Sequence, residues 1–206
     1  MDTKLFNYFN EECLSIINDG DVLAFPTETV FGFGVVYDSV NAFNKMCALK
    51  NRLPSKPFTI MISRKEQIHE FVDVNEKINR LIDKYMPGEI TLLLPRKKDL
   101  PYHLTLNEKT VGIRMPNEPN LLSFIAQVNK PLLVTSANMS NQDPLLNSDD
   151  VYQQFNGLIR GIVEGKSQSN IPSTIVLING DNISLIREGN IKFSEILKEW
   201  TKWKFH

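Results

Sequence analysis

Apolar residues follow two patterns along the chain, a helical spacing of three and four residues and short continuous runs. The helical spacing predicts helices with apolar positions at Phe6, Phe9, Cys13, Ile16 and Ile17; at Val40, Phe43, Met46 and Cys47; at Ile78, Leu81, Ile82 and Tyr85; at residues 121–128; and at Phe193, Ile196, Leu197 and Trp200. The short runs predict strands at residues 22–25, 60–62, 90–94, 111–114, 132–135, 173–178 and 183–186. Because helices and strands alternate over most of the chain, the pattern predicts an α/β fold in which helices flank a twisted sheet of parallel and antiparallel strands.

Polar residues mark the ends of several of these elements. The first helix is predicted to end by Gly20, and Asp38 or Ser39 can cap the second helix, which ends at Lys50. The last two strands are predicted to pair as a hairpin around residues 179–182, which contain the turn-forming pair Asn179-Gly180. No internal repeat or low-complexity segment divides the chain, so we expect one domain over residues 1–206.

Composition narrows the classes of function. The 206 residues are 42% hydrophobic, which is enough for a sizeable core without disulfides or a structural metal. The 23 basic and 24 acidic residues give a net charge of −1, which argues against a protein coated in basic residues for bulk nucleic-acid binding. A local basic pocket remains compatible with this balance, because nearby charges decide what a site attracts.

Cysteine, histidine and hydropathy patterns argue against three further classes. The two cysteines and three histidines are scattered, so we expect neither a zinc site nor a Cys-His nucleophile pair. No stretch approaches about 18 uninterrupted apolar residues, so we expect no membrane span and a cytoplasmic protein.

Small hydroxyl and charged residues follow several predicted strands. Residues 22–25 lead into Pro26-Thr-Glu-Thr29, residues 111–113 into Arg114, and residues 132–134 into Thr135-Ser-Ala-Asn138. In open α/β sheets, ligands bind beyond the carboxyl ends of the strands, so we expect these groups to converge there on one cavity. Each segment taken alone could equally be an ordinary turn.

Common phosphate-binding and hydrolase motifs are absent from the sequence. There is no G-x-x-x-x-G-K-[ST] loop, Gly32-Phe-Gly34 lacks the third glycine of a dinucleotide motif, and no G-x-S-x-G elbow occurs. If ATP is bound, a lysine and an arginine on an irregular loop must hold its phosphates.

Seven short motifs occur along the chain, in order Pro26-Thr-Glu-Thr-Val-Phe-Gly32, Lys50-Asn-Arg52, Met86-Pro-Gly-Glu-Ile-Thr91, Arg114-Met-Pro116, Ser136-Ala-Asn138, Pro172-Ser-Thr174 and Arg187-Glu-Gly189. Through them the chain resembles the YrdC-type threonylcarbamoyl-adenylate synthases along nearly its whole length. Any one of these short motifs could arise by chance, but seven in the family's order make a specific match.

The resemblance implies a YrdC-like fold with a large, positively lined cavity and an enzyme that uses L-threonine, bicarbonate and ATP with Mg²⁺. The products would be threonylcarbamoyl-AMP and pyrophosphate, and partner proteins would transfer the threonylcarbamoyl group to tRNA. The chain looks like the short, single-domain branch of the family, without the extra C-terminal domain of longer relatives.

The family's site residues carry over onto nine positions. The resemblance implies that Lys50 and Arg52 hold the triphosphate and act in catalysis. It assigns the rest of the nucleotide site to Thr110, Ser136, Asn138 and Arg187, and the threonine site to Thr27, Arg114 and Ser173, with Arg114 pairing the threonine carboxylate. The magnesium ligands are left unknown, with the ion expected mainly on the ATP phosphates. Glu28 is left between two roles, assisting the amine or magnesium and orienting the loop.

Three substitutions depart from the family pattern. Asn141 replaces a glycine after Ser136-Ala-Asn138, Met61 stands where one branch has a histidine, and Met86 replaces a tryptophan. The first leads us to expect an altered loop near the nucleotide.

An alternative function is a YrdC-like module that binds structured RNA without synthase activity, and weak tRNA binding is possible in either case. The basic triplet Arg96-Lys97-Lys98 could contact RNA, although such runs are more often solvated loops. Carbamoyl transfer within a maturation factor is a less attractive third possibility, because its accompanying acyl-phosphatase and zinc-finger segments are missing.

Overall fold

The structure contains a mixed sheet, as the sequence predicts, and most of the chain contributes strands to it. The computed structural model describes residues 2–51 and 57–202, and within them ten strands form one sheet. The strands are β1 (Lys4–Phe6), β2 (Leu23–Phe25), β3 (Gly32–Val36), β4 (Thr59–Met61), β5 (Ile90–Pro95), β6 (Thr110–Arg114), β7 (Leu132–Ser136), β8 (Gly161–Val163), β9 (Thr174–Asn179) and β10 (Asn182–Arg187). Their spatial order is β1-β8-β2-β3-β7-β4-β6-β5-β9-β10.

Both strand orientations occur in this sheet, as the sequence pattern predicts. The parallel pairs are β1 with β8, β2 with β8, β4 with β6, and β5 with β9, and the five other neighbouring pairs are antiparallel. The β9–β10 hairpin is confirmed, and Gly180 in its turn has a φ of +60°, which glycine adopts without a steric penalty.

Five of the seven α-helices in the described residues begin at a residue whose side chain caps the first turn. The seven are α1 (Glu11–Asn18), α2 (Val40–Leu49), α3 (Glu76–Tyr85), α4 (Tyr102–Thr105), α5 (Pro119–Val128), α6 (Ser148–Phe155) and α7 (Phe193–Thr201), with a 3-10 helix at Lys65–Glu70. Ser39 caps α2 by accepting the backbone N–H of Ala42 at 3.2 Å, and Lys50 follows as the C-terminal cap residue. The predicted cap and end of this helix are therefore confirmed.

Three predicted apolar positions were assigned wrongly. Phe6 belongs to β1, and Phe9 also precedes the first helix, which starts only after Asn10 accepts the backbone N–H of Cys13. Val40 is 54% exposed, because α2 turns Ala42, Phe43 and Met46 inward instead.

Six elements have no counterpart in the prediction, namely β1, β3, β8, α4, α6 and the 3-10 helix at Lys65–Glu70. The most central of them is β3, which lies between β2 and β7. Its five residues are all buried, so it shows no alternation of apolar and polar positions, and its two glycines lower its strand propensity. A side chain at Gly34 would place its Cβ 2.6 Å from the ring of Phe25, so the glycine makes room for that buried ring.

In the central strands, the core residues point to one common face of the sheet. In β5 and β6, Leu92, Leu94 and Ile113 are 0% exposed, and Ile60 of β4 is equally buried. Within the described residues, no helix is long and apolar enough to cross a lipid bilayer.

Candidate ligand-binding cavity

A cavity of about 750 Å³ lies over one face of the central strands. Its lining comes from strands β3 to β7, β9 and β10 and from the loops after β2 and before β4. Along β6 the lining residues are Thr110, Gly112 and Arg114, which alternate with buried core residues as expected when every second side chain points to the same face. The cavity floor is therefore a sheet surface.

The expected position beyond the carboxyl ends of the strands is wrong. Since β7 is antiparallel to β4 and β4 is parallel to β6, strands β6 and β7 run in opposite directions. Their carboxyl ends, at Arg114 and Ser136, consequently lie at opposite edges of the sheet. The predicted groups still converge, because they share a face.

At one end of the cavity, Arg114 is held by the loop that follows β2. Its Nη2 lies 2.8 Å from Glu28 Oε1 and donates to Thr29 Oγ1 at 3.0 Å. Both charged side chains are almost fully buried, at 8% exposure for Arg114 and 3% for Glu28. Glu28 Oε1 also accepts the backbone N–H of Asn117 at 2.9 Å, which ties the loop to the chain just after β6.

The hydroxyl groups of this loop are internally paired. Thr27 Oγ1 donates to the carbonyl of Val30 at 2.8 Å and accepts the backbone N–H of Thr29 at 3.0 Å. Because its only proton is used by Val30, the 3.0 Å contact between the two hydroxyls makes Thr29 the donor and Thr27 the acceptor. Thr27 Oγ1 thus has its full set of partners, and it lines the cavity together with Thr29.

A second guanidinium faces the same end of the cavity from β10. Arg187 Nε and Nη2 donate to the carbonyl of Ser173 at 3.0 and 2.9 Å, while Ser173 Oγ lies 2.9 Å from Thr91 Oγ1. Partial exclusion of water, and then the charge of Arg114, lower the pKa of the Arg187 guanidinium from its ordinary value. Arginine stays charged at neutral pH, so Arg114 and Arg187 against the single carboxylate of Glu28 leave one positive charge in excess at this end, which favours an anionic ligand.

At the opposite end, the Ser136-Ala-Asn138 turn is built around Lys50. The Lys50 ammonium donates to the carbonyl of Ser136 at 2.6 Å and to the carbonyl and Oδ1 of Asn138, each at 2.8 Å. Ser136 Oγ donates to the same Oδ1 at 2.7 Å. Lys50 is 3% exposed and lies behind the cavity wall that Ser136 helps to form.

Of the nine predicted site residues, six line the cavity: Thr27, Thr110, Arg114, Ser136, Ser173 and Arg187. Lys50 and Asn138 support the wall without lining it. Arg52 lies outside the described residues. The charged lining residues in the described part of the chain are Arg114, Arg187 and Glu108, so the predicted net positive charge of the whole wall stays a prediction.

Sequence reasoning missed several residues that form the cavity. Thr29 and Thr91 line it, and their places in the matched motifs were the only available signal. Met61 also lines it, paired in register with Arg114.

Asn141, which stands in place of a family glycine, has a φ of +67°. Glycine favours this left-handed conformation and asparagine tolerates it, so the substitution is compatible with the same backbone conformation at this position.

Known proteins are similar to this chain in both sequence and fold. The Sua5/YciO/YrdC family model, described as telomere recombination, matches residues 15–189. A Bacillus subtilis protein named threonylcarbamoyl-AMP synthase is 31% identical over 188 residues, which cover 90% of this chain and 54% of that protein. The proteins of the same name from Wigglesworthia glossinidia and Buchnera aphidicola are 31% and 32% identical, and the matches cover 85% and 83% of this chain and 91% and 100% of theirs.

The similar solved structures, like the similar sequences, include both longer proteins and proteins of about the length of this chain. Sua5 of Pyrococcus abyssi complexed with L-threonine superposes with a TM-score of 0.89 at 29% identity, covering 96% of this chain and 61% of that one. Escherichia coli YciO, at 20% identity and a TM-score of 0.83, shares the fold over 97% of its length. The chain thus spans about half to three fifths of its longer relatives and nearly all of its shorter ones. Together with the seven ordered motifs, six of which contribute residues to the cavity lining, the family match shows that the chain belongs to the Sua5/YciO/YrdC family.

Proposed function

We propose that the chain is a threonylcarbamoyl-AMP synthase, which makes threonylcarbamoyl-AMP and pyrophosphate from L-threonine, bicarbonate and ATP. The observation that carries the proposal is that six of nine family-assigned residues line one cavity in a chain that spans nearly the full length of two relatives with that name. The cavity volume of about 750 Å³ lies within the usual range for sites that bind small molecules and cofactors. The activity places the chain among the nucleotidyltransferases.

The end of the cavity around Arg114 suits threonine. A guanidinium binds a carboxylate through paired N–H donors, and Arg114 is fixed at the cavity wall with Thr27 and Ser173 also in the lining. In this arrangement the threonine carboxylate contacts Arg114. Its amine then points along the sheet face, toward the nucleotide.

The nucleotide would occupy the rest of the floor. Thr110 and Ser136 offer hydroxyls there, and Asn138 shapes the turn that carries Ser136. Arg187 faces the Arg114 end, so its cation would meet the nucleotide phosphates where they approach threonine. The role of Lys50 and Arg52 in holding the triphosphate stays a proposal. To bind a phosphate oxygen, the Lys50 ammonium must release at least one of the three acceptors that the Ser136-Ala-Asn138 turn supplies.

The chemistry needs positioning and charge more than an acid–base pair. The threonine amine nitrogen forms a bond to the carbon of bicarbonate with loss of water, or to carbon dioxide with loss of an amine proton, and a carbamate results. A carbamate oxygen then attacks the α-phosphorus as the bond to pyrophosphate breaks. Both partners are anionic, so Arg114 and Arg187 would offset their repulsion while the sheet face aligns them.

Magnesium would enter as part of the ATP substrate. Among the described residues, Glu108 is the carboxylate in the cavity lining, and Glu28 is occupied by Arg114. This donor set fits an ion held mainly by phosphate oxygens, since Mg²⁺ commonly binds through substrate phosphates with few protein ligands.

The product would be consumed by separate tRNA-modification proteins in the cytoplasm. Transfer partners and weak tRNA contact both remain proposals. The basic triplet does not favour RNA binding as the main function, because Arg96 donates to the backbone carbonyls of Glu108, Lys97 and Lys98, and the Lys97 ammonium donates to the carbonyl of His69.

Pyrophosphate release tests the proposed function. Purified protein with MgATP should release pyrophosphate only when L-threonine and bicarbonate are both present, and Arg114→Gln should reduce the rate at low threonine. Exposed Glu195→Gln serves as a matched control that leaves the cavity untouched. Release that needs neither threonine nor bicarbonate would contradict the proposal.

A further inference from the structure

Glu28 is a buried carboxylate behind the threonine end of the cavity, and its Oε1 contacts both Arg114 and the backbone of Asn117. It accepts the backbone N–H of Asn117 at 2.9 Å and pairs with Arg114 Nη2 at 2.8 Å, although it does not itself line the cavity. We propose that Glu28 is a positioning residue, which holds the Arg114 guanidinium in the orientation that receives the substrate carboxylate. This inference rests on the proposed function.

The contacts of Arg114 with the loop use only part of its guanidinium. A guanidinium has five N–H donors, two of them on Nη2. Thr29 Oγ1 accepts an N–H from Nη2, and Glu28 Oε1 is the ion-pair partner of the same nitrogen at 2.8 Å, so Nη2 faces the loop. The donors on Nε and Nη1 remain, and Nε is buried with no hydrogen-bond partner in the described part of the chain. Arg114 therefore presents its unused donors away from Glu28.

The anchor of Glu28 is rigid, which suits a positioning role. Its Oε1 is fixed from two directions, by Arg114 and by the backbone of Asn117, and the loop that carries it is closed by the paired hydroxyls of Thr27 and Thr29. A flexible arginine loses side-chain entropy when it binds a ligand. Holding Arg114 in place beforehand removes part of that cost.

Two effects of Glu28 on threonine binding have opposite signs. Fixing Arg114 strengthens binding, whereas the negative charge of Glu28 beside the substrate carboxylate weakens it. If positioning dominates, removal of Glu28 weakens threonine binding. If the charge dominates, removal tightens it. The sign of the change therefore decides the role.

The test measures dissociation constants of L-threonine and, separately, of MgATP by calorimetry. Glu28→Ala removes the anchor, Glu28→Gln keeps an acceptor oxygen without the charge, and Thr29→Val frees the other Nη2 donor without any change of charge. Glu195→Gln is the exposed control. Circular dichroism and thermal unfolding establish that each variant is folded.

We expect Glu28→Ala to weaken threonine binding at least about tenfold while MgATP binding stays within about twofold. Glu28→Gln should restore part of the loss, and Thr29→Val should weaken threonine about two- to fivefold. Threonine binding that is unchanged or tighter in both Glu28 variants would overturn the positioning role, as would an equal loss of threonine and ATP binding. Should Glu28→Ala not fold, Glu28→Gln and Thr29→Val decide.

The same titrations separate the two proposals. Wild-type protein that binds no L-threonine contradicts the proposed function, and the positioning role falls with it. Wild-type protein that binds L-threonine, together with a Glu28→Gln variant and a Thr29→Val variant that bind it equally well, contradicts only the positioning role.

Discussion

Replacing Lys50 by methionine should destabilise the protein as well as affect its nucleotide site. The ammonium has three N–H donors, and the Ser136-Ala-Asn138 turn supplies three acceptors at 2.6 to 2.8 Å. Methionine keeps most of the apolar stem but donates nothing. Two backbone carbonyls then lose this donor, whereas Asn138 Oδ1 keeps the hydroxyl of Ser136.

The expected loss is about 3 kcal/mol of unfolding free energy. Each buried acceptor left without a donor costs roughly 1–3 kcal/mol, and release of the buried ammonium from its desolvation offsets part of the sum. For a chain of this size, 1 kcal/mol shifts the melting temperature by roughly 2–4 °C, so Lys50→Met should lower it by about 6–12 °C.

Urea unfolding followed by circular dichroism measures this loss directly. Lys45→Met is the matched control, because Lys45 lies on the same helix, is 48% exposed and pairs with Asp21 at the surface. An exposed pair contributes about 0–1 kcal/mol. If Lys50→Met and Lys45→Met have the same stability as the wild type while ATP binding is lost, Lys50 acts only on phosphate and does not support the turn.

Three further changes test other parts of the structure. Arg114→Gln should raise the threonine KM about tenfold or more and leave the ATP KM nearly unchanged, because a charge-assisted contact worth roughly 1.5–3 kcal/mol is lost at one end of the cavity. Gly112→Val should obstruct the floor and weaken ligand binding, since even an added Cβ would lie 3.0 Å from the methyl group of a lining leucine. Hydrogen bonds from Lys202 and Lys84 lower the pKa of Glu199 to about 2. Their stabilising effect is present above the unfolded pKa of about 4.3 and is lost as pH falls toward about 2, so Glu199→Gln should flatten the pH dependence of stability in that window.

Each of these changes has a clear contrary result. Equal increases of both KM values in Arg114→Gln would show that the two ends of the cavity do not divide the substrates. Normal substrate affinity in Gly112→Val would mean that no ligand lies on the sheet floor. A wild-type stability curve that is already flat between about pH 4.3 and 2 would contradict the role assigned to Glu199.

Five of the helices, α1, α2, α3, α5 and α7, and the hairpin were predictable because each shows its own local signal. Ser39 and the spacing of Phe43 and Met46 define α2, and Asn179-Gly180 defines the turn between the last two strands. The short strands at the other end of the sheet had no such signal. Gly161 of β8 accommodates Phe6, since an added Cβ would lie 2.6 Å from its ring, and this long-range packing places Phe6 in a strand.

The family resemblance named six residues of the cavity lining, but the geometry of the cavity could not be predicted. The motifs identified Arg114 and Ser136, yet strand direction depends on β3, which reverses the chain between β2 and β7 and has no alternating pattern. Glu28 could not be assigned from the sequence, because its role depends on contacts with Arg114 and Asn117, which lie 86 and 89 positions further along the chain.

Incorporation of labelled bicarbonate tests the central claim most directly. The protein is incubated with MgATP, L-threonine and ¹³C-bicarbonate, and the nucleotide products are analysed by mass spectrometry within the lifetime of the adenylate. The account predicts an AMP adduct that contains threonine and one labelled carbon, and a product one mass unit lighter when unlabelled bicarbonate is used. An AMP adduct of threonine without the labelled carbon, or no adduct at all, would contradict it.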